Sequence, residues 1–387
     1  MTAPFRIAHL LPWGNIGGTE IATMRAARAA IAFGASCRLF LPVGAVELEA
    51  RARAEGLETE FYDWAEPSLR HGLAYWKSNQ RLAGALRAWG ANLLHTSEVL
   101  AAFRLSLAGR MAGIPVLCHV RNRQTFFSRR DQLFLRPITR YAFVSASTQK
   151  TFGVPIPLSA GTVLYDALDA PAVPTPRERV AIRSEVAAEF GFPAAVPLVG
   201  MVGRVDPQKD FSTFLQAVRI VLREHPETRF LAIGALNATP DAALYYEREV
   251  QPLLAADAVL RDRVIFTGFR SDAGRLMTAL DIFALATHFE GFPLVILEAM
   301  ARGIPVCATA VDGVPEAIAE GSGLVHPPAD APALAADLSA LLGDSARAEA
   351  IGAAGRRRVE TVFSPHRYAS ELEALYRSLL AGRTAVT

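Results

Sequence analysis

The sequence predicts an α/β protein made of two successive parallel-sheet domains. Short apolar strand patterns alternate with helical stretches through the first 165 residues. A second series of the same kind starts at Val196, after a proline-punctuated stretch. The length of 387 residues also exceeds what one core ordinarily organises. A composition that is 51% hydrophobic suits sheets covered on both faces.

Phe5–Leu11 reads as a strand, Thr19–Phe33 as an amphipathic helix capped by Thr19, and Ala35–Leu41 as a second strand. Leu93–His95, Pro115–Val120 and Tyr141–Val144 continue the series. Leu164 to Arg177 has several prolines and little periodicity and reads as a linker. Val196–Val202, Phe230–Gly234, Val264–Thr267, Ile282–Leu285, Pro305–Ala308 and Gly323–Val325 are the strands expected after it. The last helix, His366–Leu380, carries Tyr368, Leu372, Leu375, Tyr376 and Leu379 on one face.

The net charge of +2 argues against general nucleic-acid binding. Its distribution is uneven. Arg121, Arg123, Arg129, Arg130, Arg136 and Arg140 stand against Asp131 alone, interleaved with Phe126, Phe127, Phe134 and Leu135. Residues 121–140 read either as a surface for an anionic membrane or acidic acceptor, or as a solvated helix face. Cys37, Cys118 and Cys307 lie far apart in apolar settings, so neither a disulfide framework nor a metal knuckle is indicated. No run reaches the ~18 apolar residues of a membrane span. The opening Met-Thr-Ala-Pro-Phe-Arg leads straight into a strand pattern without the features of a secretory signal. A cytoplasmic location, with peripheral contact at the inner face of the membrane as an open addition, is the expectation.

The chemistry-bearing loops each follow a strand, where open α/β sheets bind ligands. Thr287-His-Phe-Glu290-Gly291-Phe292-Pro293-Leu294 leads into an apolar run holding Glu298. Pro293 suits the first position of a helix, which leaves Glu290 just before it and Glu298 in its second turn. The amides of Gly291, Phe292 and Leu294 would form an anion cradle at the helix start. A nucleoside-diphosphate sugar presents hydroxyls, phosphates and ribose hydroxyls in that order. Gly203-Arg204-Val-Asp-Pro-Gln-Lys209 offers a close backbone approach and two cations for a leaving diphosphate. Lys209 is one of only three lysines against 37 arginines. Trp13-Gly14-Asn-Ile-Gly17-Gly18-Thr19-Glu20 joins the first strand and helix but misses the dinucleotide glycine spacing. His119 ends a strand, where it reads as a sugar contact or as a structural histidine. Glu316, after Asp312-Gly313-Val314-Pro315, reads as a first-turn acid or a contact to sugar hydroxyls.

Together these motifs resemble the retaining glycosyltransferases of family four, which have the GT-B fold. The resemblance runs through Gly203-Arg204…Lys209, Val264-Ile-Phe-Thr-Gly268-Phe, Glu290-Gly-Phe-Pro…Glu298-Ala-Met-Ala-Arg-Gly, Asp312-Gly-Val-Pro-Glu316 and Gly323-Leu-Val-His-Pro. In the first half it rests on Gly17-Gly18, His119 and the strand rhythm. It implies two Rossmann-like domains facing across a cleft, with the C-terminal helix crossing back to the first. Residues 1–165 with 366–387 would form the acceptor-side domain, and 166–365 the nucleotide-sugar domain.

The resemblance implies catalytic roles for Arg204, Lys209, Glu290 and His119. Arg204 and Lys209 would hold the diphosphate, while Glu290 and His119 would lie near the transferred sugar. Glu298 would hold the ribose, and Gly17, Gly18, Gly203, Gly291, Phe292, Pro293, Leu294 and Glu316 would also line the donor. Two departures stand out: Gly313-Val314 replaces a glycine pair, and Asp166-Ala167 replaces an Asn-Gly at the linker. The expected activity is hexose transfer, with retention, from a UDP- or GDP-sugar to a glycan, lipid-linked or small-molecule acceptor. No cofactor and no metal are expected. The alternatives are a nucleotide-sugar 2-epimerase of related fold and a non-catalytic nucleotide-sugar-binding protein.

Overall fold

The computed structural model describes residues 5–68, 70–319 and 321–381. The chain divides into two compact units, Met1–Ala167 with Pro365–Thr387, and Leu168–Ser364.

Unit 1 contains seven parallel strands: β1 (Arg6–Leu10), β2 (Ser36–Pro42), β3 (Glu58–Tyr62), β4 (Leu93–Thr96), β5 (Val116–Val120), β6 (Arg140–Phe143) and β7 (Gly161–Val163). Their order is β3-β2-β1-β4-β5-β6-β7. The period-2 alternation of a parallel strand sends Ile7, Leu93 and Leu117 to one face and Ala8, Leu94 and Val116 to the other. The first face packs under the helices Gly18–Ala32 and Pro365–Ala381, whose Tyr368, Leu372, Leu375, Tyr376 and Leu379 are all buried there. The second face packs against the helices Gly72–Trp89 and Val99–Ala112.

Sequence periodicity misses β3 and β7. Glu58-Thr-Glu-Phe-Tyr is an edge strand with charged outward residues, and β7 has only three residues. Two local expectations are corrected. Thr19 lies inside the first helix rather than capping it, and Gly17 is the cap. There the Glu20 carboxylate accepts the Gly17 N–H at 3.1 Å. The stretch from Leu164 to Arg177 is not a plain linker either, because Asp166 is buried in unit 1 and a helix, Pro176–Phe190, begins within it.

Unit 2 contains six parallel strands: β8 (Leu198–Val202), β9 (Arg229–Ile233), β10 (Val264–Gly268), β11 (Ile282–Leu285), β12 (Val306–Thr309) and β13 (Leu324–His326). Their order is β10-β9-β8-β11-β12-β13. β8 and β11 are apolar throughout, β9 is so apart from Arg229 and β12 apart from Thr309, and all four are almost wholly buried, as strands covered by helices on both faces must be. Each unit is therefore Rossmann-like. The strand order reverses between β1 and β4 in unit 1 and between β8 and β11 in unit 2. Loops diverge at such switch points and leave a crevice at the carboxyl ends.

Candidate active site

In unit 2 the loops that leave β8 and β11 stand side by side at the switch point and are bonded to each other. His288 N donates to the Gln208 carbonyl at 2.9 Å, and Gln208 Nε2 donates to the Phe289 carbonyl at 2.8 Å. Two glycines let the backbone close in. A Cβ on Gly203 would meet the aliphatic stem of Lys209 at 3.3 Å, so glycine lets that stem cross the loop. At Gly234, after β9, a Cβ would lie 1.8 Å from the Gly203 carbonyl oxygen, a distance that excludes any side chain.

Lys209 Nζ and Glu290 Oε1 form an ion pair with both side chains largely buried, 14% and 9% exposed. The same carboxylate oxygen accepts from the Thr287 hydroxyl at 3.0 Å. Glu290 N donates to Asp312 Oδ2 at 2.9 Å, which ties the loop after β12 to the site. Asp312 holds φ +43, the left-handed region that a non-glycine residue enters only when its surroundings enforce it. Lys209 N donates to Asp206 Oδ1 at 3.1 Å, and Arg204 Nη2 lies 3.1 Å from Asp206 Oδ2. The Arg204 side chain is 56% exposed beside this buried pair. Two cations thus stand at one strand end, one inside the surface and one on it.

The helix after Glu290 spans Leu294–Ala301. Pro293 is its extended N-cap (ψ 95) and not its first helical residue, a shift of one position from expectation. Leu294 therefore opens the helix. The Phe292 ring is buried against Phe363, with centroids 5.3 Å apart. Glu298 is half-buried in the second turn, and Glu316 is half-buried on the short helix Val314–Ala317.

Unit 1 holds the remaining residues. Gly17 caps the first helix and Gly18 opens it into free space. His119 does not lie at an open strand mouth. It is fully buried one residue before the end of β5. Its ring stacks on His95 (5.5 Å, 12° apart), and His95 in turn lies 5.1 Å from His9. Arg121 Nη2 is 3.2 Å from His119 Nδ1, and Arg121 forms a buried ion pair with Asp166. His95 Nδ1 is 2.7 Å from the Tyr376 hydroxyl. Burial, followed by the Arg121 charge, brings the His9 pKa down to about 3 and holds His119 well below its ordinary value. Burial, followed by its neighbour His9, does the same to His95. The triad is neutral.

The basic segment 121–140 is divided between core and surface. Arg121 is buried, Phe127 packs on Phe152, and Phe134 packs on Phe103 and Tyr75. Phe126, at 80% exposure, and Leu133 remain outside beside Arg129, Arg130 and Arg136. Among the described residues no helix is long and apolar enough to cross a membrane.

Asp206, Thr287, Asp312 and Gly234 were not singled out as site residues from sequence. Asp206 and Thr287 sit inside the motifs that were read, and charge balance beside Arg204 and Lys209 was the available signal. Nothing local marks Gly234, because its constraint comes from a neighbouring strand.

Residues 183–358 match the family described as Glycosyl transferases group 1. That match lies within the second unit, Leu168–Ser364. It is 30% identical over 222 residues to the lipopolysaccharide core biosynthesis mannosyltransferase LpsB of Rhizobium meliloti, covering 57% of this chain and 61% of that one. It is 28% identical over 184 residues to the capsular polysaccharide biosynthesis glycosyltransferase CapM of Staphylococcus aureus, covering 47% and 46%. The chain thus spans about half the length of the curated relatives it matches. In fold it is similar to Anabaena Alr3699/HepE, solved with UDP, with a TM-score of 0.79 at 21% identity over 97% of this chain and all of that one. A glycosyltransferase from Rickettsia africae gives a TM-score of 0.82 at 19% identity, covering 97% of this chain and 99% of that one. The fold class is GT-B, with two Rossmann-like domains.

Proposed function

We propose that this chain is a group 1 glycosyltransferase that moves a hexose from a UDP- or GDP-sugar to an acceptor hydroxyl with retention, in glycan, polysaccharide or glycolipid synthesis. The observation that carries the reading is the Lys209–Glu290 pair at the unit 2 switch point, with Arg204 beside it and the helix Leu294–Ala301 opening next to it. An entering diphosphate would draw Lys209 Nζ and Arg204 to its oxygens. Glu290, released from Lys209, would then accept hydroxyl protons of the transferred sugar in hydrogen bonds. The sugar–phosphate bond breaks with its electron pair leaving on the diphosphate, whose charge the two cations stabilise. The acceptor oxygen bonds to the anomeric carbon on the same face, and its proton passes to the departing phosphate oxygen. Lys209 and Arg204 supply the positive charge, so the scheme calls for no metal or cofactor.

Glu298 and Glu316 are assigned to the ribose and sugar hydroxyls, and the backbone of Gly203, Gly291, Phe292, Pro293 and Leu294 to phosphate. Gly17 and Gly18 are assigned to the donor by resemblance alone. Of the four proposed catalytic residues His119 has the least support, because a fully buried ring touches no ligand without a rearrangement of unit 1. Two names among the relatives and neighbours support the donor class. HepE was solved with UDP-glucose, and a relative in Corynebacterium glutamicum is named as GDP-mannose-dependent.

Lys209→Ala tests the reading, assayed with UDP-glucose and GDP-mannose as donors. Transfer should fall by about 10²–10³-fold, the scale of losing one preorganised charge-stabilising group. The substitution also leaves Glu290 buried and unpaired, at a cost of about 3–5 kcal/mol. The Lys209→Ala/Glu290→Gln pair restores neutrality and should regain stability without regaining transfer. Undiminished turnover in either variant would refute the assignment. Epimerised donor produced without acceptor would select the 2-epimerase. Donor binding with no turnover in the parent chain would select the non-catalytic alternative.

A further inference from the structure

The carboxyl ends of β11, β12 and β13 carry a row of polar side chains that the proposed transfer scheme does not use. β11 is Ile-Phe-Ala-Leu, β12 is apolar up to Thr309, and β13 is apolar up to His326. Thr287 follows β11 by two residues, and Thr309 and His326 stand side by side as register partners. The row ends at Asp337 on the helix Ala331–Leu342. Thr287, Thr309 and His326 are buried, whereas the Asp337 side chain is 25% exposed.

Polar contacts run along the row from Glu290 to the surface. The Thr287 hydroxyl donates to Glu290 Oε1 at 3.0 Å, yet the Gln208 and Phe289 carbonyls lie 3.1 and 3.3 Å from the same hydroxyl. A hydroxyl has one proton to give, so a small shift of Thr287 redirects it from the carboxylate to a carbonyl. Thr309 fixes Thr287: its hydroxyl oxygen accepts the Thr287 N–H at 3.1 Å and lies 3.2 Å from the Leu285 carbonyl. His326 Nε2 is 3.5 Å from that Thr309 oxygen, and His326 Nδ1 is 3.3 Å from Asp337 Oδ2. Apolar residues would fill the same space without desolvating polar groups, so a connected polar row points to a demand for position.

The proton count makes the row sensitive to the charge on His326. The Asp337 carboxylate only accepts, so Nδ1 carries a hydrogen. The Thr309 hydroxyl donates its single proton to Leu285 and accepts from Thr287, which leaves one lone pair for a hydrogen on Nε2. The doubly protonated ring therefore satisfies Asp337 and Thr309 together. Without the second hydrogen, Nε2 sets a lone pair against a lone pair, and Thr309 meets it only by turning its proton away from Leu285. The other titratable groups on the packed elements are Cys307, two residues before Thr309, and Arg347, which acts on Cys307 together with Asp337.

We propose that Thr309 and His326 are positioning residues for Glu290, acting through Thr287, and that the charge on His326 sets how firmly they hold it. The assignment rests on the glycosyl-transfer reading, in which Glu290 meets the transferred sugar. When a diphosphate draws Lys209 away, the Thr287 hydroxyl still holds the Glu290 carboxylate, and the row behind it keeps that hydroxyl aimed. Protonated His326 favours the aimed state, and neutral His326 loosens it.

Steady-state transfer by the full chain, with UDP-glucose and GDP-mannose as donors, tests the row. Thr309→Val removes the hydroxyl at nearly constant shape. It should lower kcat about tenfold or more, the scale of a misplaced reacting group, while thermal stabilisation by UDP or GDP stays at the parent's level. Thr309→Ser restores the hydroxyl and should recover most of the rate. Thr228→Val, at a buried threonine of unit 2 whose hydroxyl has no partner among the described residues, should leave kcat unchanged. His326→Gln keeps an N–H for Thr309 at every pH, so the ratio of parent to variant kcat should fall as the pH rises from about 6 to 8. A parental kcat in Thr309→Val, a Thr309→Ser as slow as Thr309→Val, or a pH-independent ratio would overturn the assignment. If Thr309→Val does not fold, the pH dependence of the ratio decides alone. A parent chain that transfers from no nucleotide sugar refutes the donor reading instead. NMR of the labelled histidines then decides the row: the His326 signals, identified by their loss in His326→Gln, should shift in Glu290→Gln, and unmoved signals would overturn it.

Discussion

Lowering the pH from 7.5 to 5 should destabilise unit 1 steeply, because its interior holds three histidines in neutral form. His9, His95 and His119 lie on one face of adjacent strands under the C-terminal helix, all essentially inaccessible. The charged group acting on them is Arg121, which pairs with Asp166 and also acts on Glu20 and Glu98, and the Tyr376 hydroxyl bonds His95. In the unfolded chain each histidine takes a proton near pH 6.5, whereas in the folded unit His9 does so only near 3 and the others well below 6.5. The unfolded state therefore binds more protons, so the stability present above pH 6.5 is lost as the pH falls. At pH 5 each histidine contributes a loss of about 2 kcal/mol, or about 6 kcal/mol for the three. Glu20 and Glu98 act in the opposite sense. Their raised pKa values mean that the folded state takes up protons first, which offsets part of the loss. The remainder is still a large share of the ~5–15 kcal/mol that holds a domain folded. All four tryptophans (Trp13, Trp64, Trp76, Trp89) lie in unit 1, so their emission during urea unfolding reports on that unit. The midpoint should fall by about 2 M between the two pH values, taking a urea slope of about 2–3 kcal/mol per molar. His9 has no side-chain hydrogen-bond partner among the described residues, so His9→Phe should remove about a third of the drop. A pH-independent midpoint, or an unchanged drop in His9→Phe, would refute the reasoning.

The remaining predictions concern the second glycine contact and the basic segment. Gly234→Ala should cost unit 2 more than about 3 kcal/mol and reduce donor binding, since a Cβ 1.8 Å from the Gly203 carbonyl must displace the Arg204–Lys209 loop. A thermal scan with and without UDP reads both effects, and a variant as stable as the parent would contradict the geometry. The exposed Phe126 and Leu133, set among Arg129, Arg130 and Arg136, should carry the chain onto anionic vesicles at low salt, with Phe126→Ser weakening co-sedimentation. Sedimentation no greater than with neutral vesicles would count against that surface.

Much of the fold was readable because it depends on local pattern. The apolar strands of unit 2 and the helix holding Tyr368, Leu372, Leu375, Tyr376 and Leu379 announce themselves by periodicity. β3 was invisible for the complementary reason: an edge strand with Glu58 and Glu60 pointing outward, paired with Arg38, has no apolar run to detect. Pairings across strands were also beyond reach. That Asp166, in a stretch read as linker, neutralises Arg121 just after β5 depends on the order of β5, β6 and β7, and no spacing encodes that order. The burial of His119 has the same origin, since the helix that covers it begins about 250 residues later.

The Lys209–Glu290 pair explains why one of so few lysines sits where it does. Both groups are largely buried, and neither is tolerable there alone, so each serves as the other's counter-ion. A diphosphate is a stronger counter-ion for Lys209 than a single carboxylate, and hydroxyls can satisfy Glu290 in its place. A ligand bearing only one of these two features leaves the other half of the pair unsatisfied. Free diphosphate strands Glu290, and a sugar without phosphate offers Lys209 nothing better than it has. On the proposed function, the pair would therefore discriminate for a molecule that joins a diphosphate to a polyol. It does so by penalising the fragments, the stronger route to specificity where polar groups are buried.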